Sequence, residues 1–117
     1  MSPEILKFLY DIRLACEALF QFTDGKSLDE YQVDILLRSG IERQLTIIGE
    51  ALSQALKIDP TLTDRIAGIR DIINFRNIIV HGYSTIENET VWGILQNDLP
   101  TLYDQVQALL SEETDQG

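Results

Sequence analysis

Arg70, Asn74, Asn77 and His81 recur at spacings of four, three and four in the middle of a 117-residue chain. On a helix that spacing draws one polar strip ending at the C-terminus. Asparagine is a poor interior helix residue, so two of them on one strip need a reason, either exposure to water or a lined groove. His81 is the chain's single histidine, and only its ordinary pKa suits proton transfer near neutral pH; a helix C-terminus favours the protonated form. A histidine with an arginine and amide groups is sufficient for metal-free phosphodiester cleavage. The imidazole moves a proton to or from a 2′-hydroxyl or the leaving oxygen, and the guanidinium neutralises phosphoryl charge. The same residues would also suit a capping histidine on a polar surface, and composition leaves both open. Arg76 lies five residues before His81, about 140° round the helix, so the two need not touch within one chain. Across a two-fold axis, Arg76 could meet the other copy's His81.

A metal is not expected, since the stretch Ile69–Val80 that leads to His81 holds a single carboxylate, Asp71. One cysteine, Cys16, forms no internal disulfide and cannot anchor a zinc site with a lone histidine; it falls on an apolar stripe and reads as packing. Asp24-Gly25-Lys26-Ser27 contains Gly-Lys-Ser without the upstream glycine or strand of a phosphate loop, so it reads as a turn.

The elements that must carry the strip are helical. Ile5, Leu9, Ile12, Cys16 and Leu19 mark a first stripe that ends before Asp24-Gly25. Ser27-Leu28-Asp29-Glu30 is a capping-box pattern opening a second helix, whose face is Ile41, Leu45, Ile48, Leu52 and Leu56, with Gly40 a point of interruption. Asp59-Pro60 closes it. A third helix is expected from about Thr63 to Val80, with Ile66, Ile69, Ile73 and Val80 inward and Gly82 as its stop. Ser84 to Glu87 is another capping box, with Asn88 a competing cap, ahead of a fourth helix through Val91, Leu95, Leu99, Leu102, Val106 and Leu109. Pro100 should kink or divide that helix. Trp92 reads as core or interface. Ser111 to Gly117 is an acidic tail expected to fray. The length suits one domain, residues 1–117, and the pattern predicts an all-α, up-and-down bundle of four to five helices.

Nine Lys and Arg stand against nineteen Asp and Glu, a net charge of -10, which taken whole argues against a nucleic-acid partner. The charge is not evenly spread. Residues 1–37 carry -4, residues 38–81 carry +1 and residues 82–117 carry -7. The acid is thus in the flanks, and the centre holds five of the six arginines beside His81. The N-terminal stretch has early acids and no uninterrupted apolar run, so neither a signal peptide nor a membrane span is expected and the reading is cytoplasmic.

Arg76-Asn77-Ile78-Ile79-Val80-His81-Gly82-Tyr83 resembles the Arg-Asn-x-x-x-His-x-Tyr motif of HEPN-domain proteins of the HepT-like toxin family. The resemblance extends in order through Ile47-Ile48-Gly49-Glu50-Ala51, Gly68-Ile69-Arg70-Asp71, Val91-Trp92 and Asn97-Asp98-Leu99-Pro100. It implies a HEPN-like bundle that pairs as a homodimer, with motif residues of both copies lining one cleft. It also implies a metal-independent RNA endonuclease, the toxin of a two-gene system, using no cofactor. Arg76 and His81 would be the catalytic pair, and Asn77 would orient phosphate or His81. The partner so implied is an MntA-like nucleotidyltransferase antitoxin that transfers AMP from ATP to Tyr83, adding bulk and negative charge at the cleft mouth. Arg70, Asn74 and Glu50 are supporting candidates, Glu50 as the ion-pair partner of Arg43, Arg70 or Arg76. The alternative function is a non-catalytic helical subunit that docks and regulates a nucleotidyltransferase, which the acidic flanks would suit.

Overall fold

The computed structural model describes residues 1–81 and 87–116, apart from the side chains of His81 and residues 114–116. Among the described residues six α-helices follow one another: α1 Pro3–Thr23, α2 Leu28–Val33, α3 Ile35–Ile58, α4 Ile69–His81, α5 Asn88–Gly93 and α6 Leu99–Gln116. A 3-10 turn, Pro60–Asp64, precedes α4, and a π turn, Ile94–Asp98, joins α5 to α6. There is no strand among the described residues, and no described helix is long and apolar enough to cross a membrane. The shortest extent of the molecule is 19 Å, about two helix diameters, as a two-layer bundle requires.

The stripes read from the sequence are the core. Ile5, Leu9, Ile12, Cys16 and Leu19 of α1 are buried against Ile41, Leu45, Ile48 and Leu52 of α3. Val91, Leu95, Leu99, Leu102, Val106 and Leu109 complete the same cluster, each such side chain contributing about 1.5–3 kcal/mol relative to exposure. Tyr103 donates to Glu17 at 2.8 Å while the amino terminus pairs with Glu113 at 2.6 Å, which fixes α1 and α6 antiparallel. Trp92 is half-buried and leans on Tyr31, ring centroids 5.7 Å apart.

Several boundaries differ from the sequence reading, each for a local reason. Ser27 does cap a helix, its Oγ accepting the Glu30 amide at 3.2 Å, but that helix is the short α2. The break falls at Asp34 rather than Gly40. Asp34 donates its amide to Glu30 at 3.0 Å, closing α2, and its carboxylate accepts the Leu37 amide at 3.1 Å, opening α3. Gly40 lies inside α3, against the Phe22 ring.

The third predicted helix begins six residues later than expected. Asp59 ties Thr61 into the 3-10 turn, the Ala67 amide is diverted to Gln105 at 3.0 Å, and Gly68 takes a φ of 70°. That left-handed conformation is one glycine adopts freely, and it sets Ile69 as the first residue of α4. Ile66 and Ile69 are buried as predicted, but Val80 is exposed.

At the other end of the bundle, Glu87 rather than Asn88 stands at the cap of α5, with no side-chain bond; the Ser84 pattern and Gly82 lie outside the described residues. Pro100 divides the last helix through the π turn, where the Leu99 amide reaches back to the Ile94 carbonyl. The wider turn makes room for a ring that would meet the carbonyl four residues back. α6 runs to Gln116, with Glu112 paired to Arg65 and Glu113 to the amino terminus.

Candidate active site on the fourth helix

α4 is amphipathic. Ile69 is buried, Ile72, Ile73, Phe75 and Ile79 pack partly against the core, and Arg70, Asp71 and Asn74 stand in solvent. Arg76 is the exception to this division. It lies on the side of α4 that meets α3, and it gets there because residue 49 has no side chain. A Cβ built on Gly49 would lie 2.5 Å from Cγ of Arg76 and closer still to its Cβ, inside the separation that real side chains tolerate. The arginine stem therefore occupies the space that any other residue at 49 would fill.

Its head is held on two sides. Nη1 donates to Oδ1 of Asn77 at 2.6 Å, and Nη2 donates to Oε2 of Glu50 in an ion pair. Oε1 of Glu50 accepts from Gln54 at 3.1 Å, so the carboxylate is itself oriented from the next turn of α3. The Arg76 side chain is 22% exposed and that of Glu50 48%, which places the guanidinium at the surface edge of the α3–α4 seam. Each Nη carries two hydrogens. With one of each engaged, the second pair is left for an incoming anion. Arg76 Nε is buried and has no partner among the described residues, a local cost of about 1–3 kcal/mol that a native site usually keeps for a reason.

The structure thus brings together Arg76, Asn77 and Glu50 from the residues expected to serve the site, and selects Arg76 among the three partners considered for Glu50. Arg70 and Asn74 are on α4 and exposed. Among the described residues neither joins the Arg76 network. His81 is the last residue of α4, which carries it one turn beyond Asn77; its side chain and all of Tyr83 lie outside the described residues. Gly49 has no place in the polar strip's spacing, although a glycine in mid-helix, at a cost near 1 kcal/mol against alanine, is a legible signal of close approach. Among the described residues no three His, Cys, Asp or Glu side chains gather as a cation site. Cys16 is enclosed in the core, where burial, with the Glu17 charge adding to it, pushes its thiol up to about 12; it is packing, as its stripe implied.

The chain matches the family model described as Ribonuclease HepT-like over residues 12–109. The chain belongs to the HepT-like ribonuclease family. Relatives similar to this HepT-like chain include a protein of Methanocaldococcus jannaschii named "Putative RNase", 26% identical over 106 residues that span 89% of this chain and 94% of the relative. A second, of Caldanaerobacter subterraneus and bearing the same name, is 26% identical over 91% of this chain and 94% of its own. A third, "Probable ribonuclease HepT" of Thermococcus cleftensis, is 26% identical over 87% and 92%. No solved structure gives a significant match.

Proposed function

We propose that this HepT-like protein is a metal-independent RNA endonuclease, the toxin of a toxin-antitoxin pair, acting as a homodimer. The observation that carries the reading is the Arg76 clamp: Glu50 and Asn77 fix the guanidinium while leaving hydrogens free for a phosphate. Family membership and the ribonuclease names of the relatives support it.

In the reaction so proposed, a 2′-hydroxyl attacks the adjacent phosphorus and His81 accepts its proton. Arg76 carries the negative charge that builds on the non-bridging oxygens. The bond from phosphorus to the 5′-oxygen breaks, and that oxygen takes a proton from a protonated imidazole, which His81 of a second copy would supply across the two-fold axis. The products are a 2′,3′-cyclic phosphate and a 5′-hydroxyl. Asn77 holds the guanidinium in plane so that its remaining donors face one phosphate rather than sampling rotamers.

Control of the activity is assigned to Tyr83, two residues past His81, as the acceptor of AMP from an MntA-like nucleotidyltransferase antitoxin. A phosphodiester on that oxygen would put negative charge where the RNA backbone must enter. Incubation with the cognate nucleotidyltransferase and ATP should add one or more AMP masses, mapped to Tyr83, and silence cleavage. An unmodified Tyr83 with a silenced enzyme would show that control runs through binding alone.

A further inference from the structure

The junction of α2 and α3 exposes three apolar side chains almost completely: Val33 at 82%, Ile35 at 69% and Leu36 at 83%. They sit in a run of four residues broken only by Asp34, whose capping of α3 requires the chain to turn there. The fold therefore fixes this knob in place. Beside it opens a groove of about 420 Å³ lined by Phe22, Asp34, Leu36, Leu37 and Gly40. Soluble domains seldom hold such apolar projections together without a partner.

The surrounding charge says which kind of partner. Residues 24–36 carry four acids, Asp24, Asp29, Glu30 and Asp34, all exposed, against the single cation Lys26, which pairs with Glu30 at 3.6 Å. Arg38, the next cation along, is turned onto the Gln32 carbonyl. A second copy of this chain would bring acid against acid across a two-fold axis. An anionic membrane surface would be repelled in the same way. Like charges in register disfavour both.

We infer that Val33, Ile35 and Leu36, with the groove beside them, are the docking surface for a heterologous protein partner whose contact face has an apolar centre and a basic rim. Resting on the reading that a nucleotidyltransferase modifies Tyr83, that enzyme is the partner the surface fits. Leu36 stands fourteen residues before Glu50 on α3, about 21 Å along the helix. The partner would hold on away from the RNA cleft while its active centre reaches Tyr83.

The test uses the full chain and the purified cognate nucleotidyltransferase. Its affinity and its rate of AMP addition are measured for wild type, Val33→Ser with Leu36→Ser, and Asp29→Asn with Glu30→Gln, circular dichroism confirming the fold of each. The apolar variant should bind at least tenfold more weakly and be modified more slowly at limiting enzyme, while its RNA cleavage stays at the wild-type level. The neutralised variant should associate more slowly and with a flatter dependence on salt. Unchanged affinity in both variants, or a lost homodimer with unchanged affinity, would overturn the docking surface while leaving the modification of Tyr83 standing. A wild-type chain that neither binds nor is modified would remove the partner reading and this surface with it.

Discussion

Gly49 and Arg76 form one contact between α3 and α4: the Arg76 stem lies where the Cβ of any other residue at 49 would have to stand. The glycine sets how near the two helices come, and the arginine is held between Glu50 and Asn77 as a result.

Gly49→Ala should accordingly do more harm than a methyl group usually does. Forcing α3 and α4 apart is an overpacking change of about 1–3 kcal/mol, read as a lower midpoint in urea unfolding. RNA cleavage should fall by more than tenfold at temperatures where the variant is still fully folded, because the guanidinium moves with α4.

Glu50 separates positioning from stability. Its carboxylate is half-exposed, so Glu50→Ala should cost less than about 1 kcal/mol of folding free energy. Turnover should drop by about tenfold with KM nearly constant, since a loosened Arg76 still binds RNA but seldom stands ready for the transition state. Glu50→Gln keeps an acceptor for Nη2 and should recover part of that loss. Equal damage from both variants would mean that charge, not placement, is what Glu50 supplies.

Arg76→Lys retains the charge but cannot hold Glu50 and Asn77 at once in a planar fork. A fall in cleavage of about a hundredfold is expected. The wild type should lose affinity for RNA only shallowly as salt rises, because few central cations are available to displace counterions on a chain of net charge -10. Filter binding across a salt series checks this.

The core has its own pH dependence. Burial pushes the Cys16 thiol up from 9.0 to about 12, and burial likewise raises Tyr31 from 10.0 to about 12. Both are neutral acids whose folded values exceed the unfolded ones, so their stabilisation is complete below about pH 9 and is lost as pH climbs towards 12. Thermal midpoints should therefore fall through that window, and less steeply in Cys16→Ala. The native thiol should resist a disulfide reagent at pH 8.

Much of this was legible in the sequence. The stripes through Ile5 to Leu19 and Val91 to Leu109 are the core because a single apolar face repeated over many turns has one way to be buried. The Arg76 motif falls on α4, where Arg76 meets α3. The boundaries were harder to read. Asp34 ends one helix and begins another by using its amide and its carboxylate in opposite directions, and Ala67 leaves the helix to bond Gln105, thirty-eight residues away. Neither choice leaves a periodic trace. Glu50 could be named from its apolar surroundings, but which arginine it meets depends on how α3 and α4 cross, and Gly49 decides that. Arg70 and Asn74 share the strip's spacing but stand exposed on α4, while Asn77, beside Arg76 in the chain, reaches the guanidinium.

The most direct test is cleavage of a defined single-stranded RNA by the purified protein in excess EDTA, with end-group analysis, alongside Arg76→Ala and His81→Ala. The proposed Arg76–His81 mechanism requires wild-type cleavage that ignores the chelator and leaves 2′,3′-cyclic phosphate and 5′-hydroxyl ends, with both folded variants inactive. Cleavage that survives in either variant, or a wild type that cuts only when a divalent metal is restored, would contradict it.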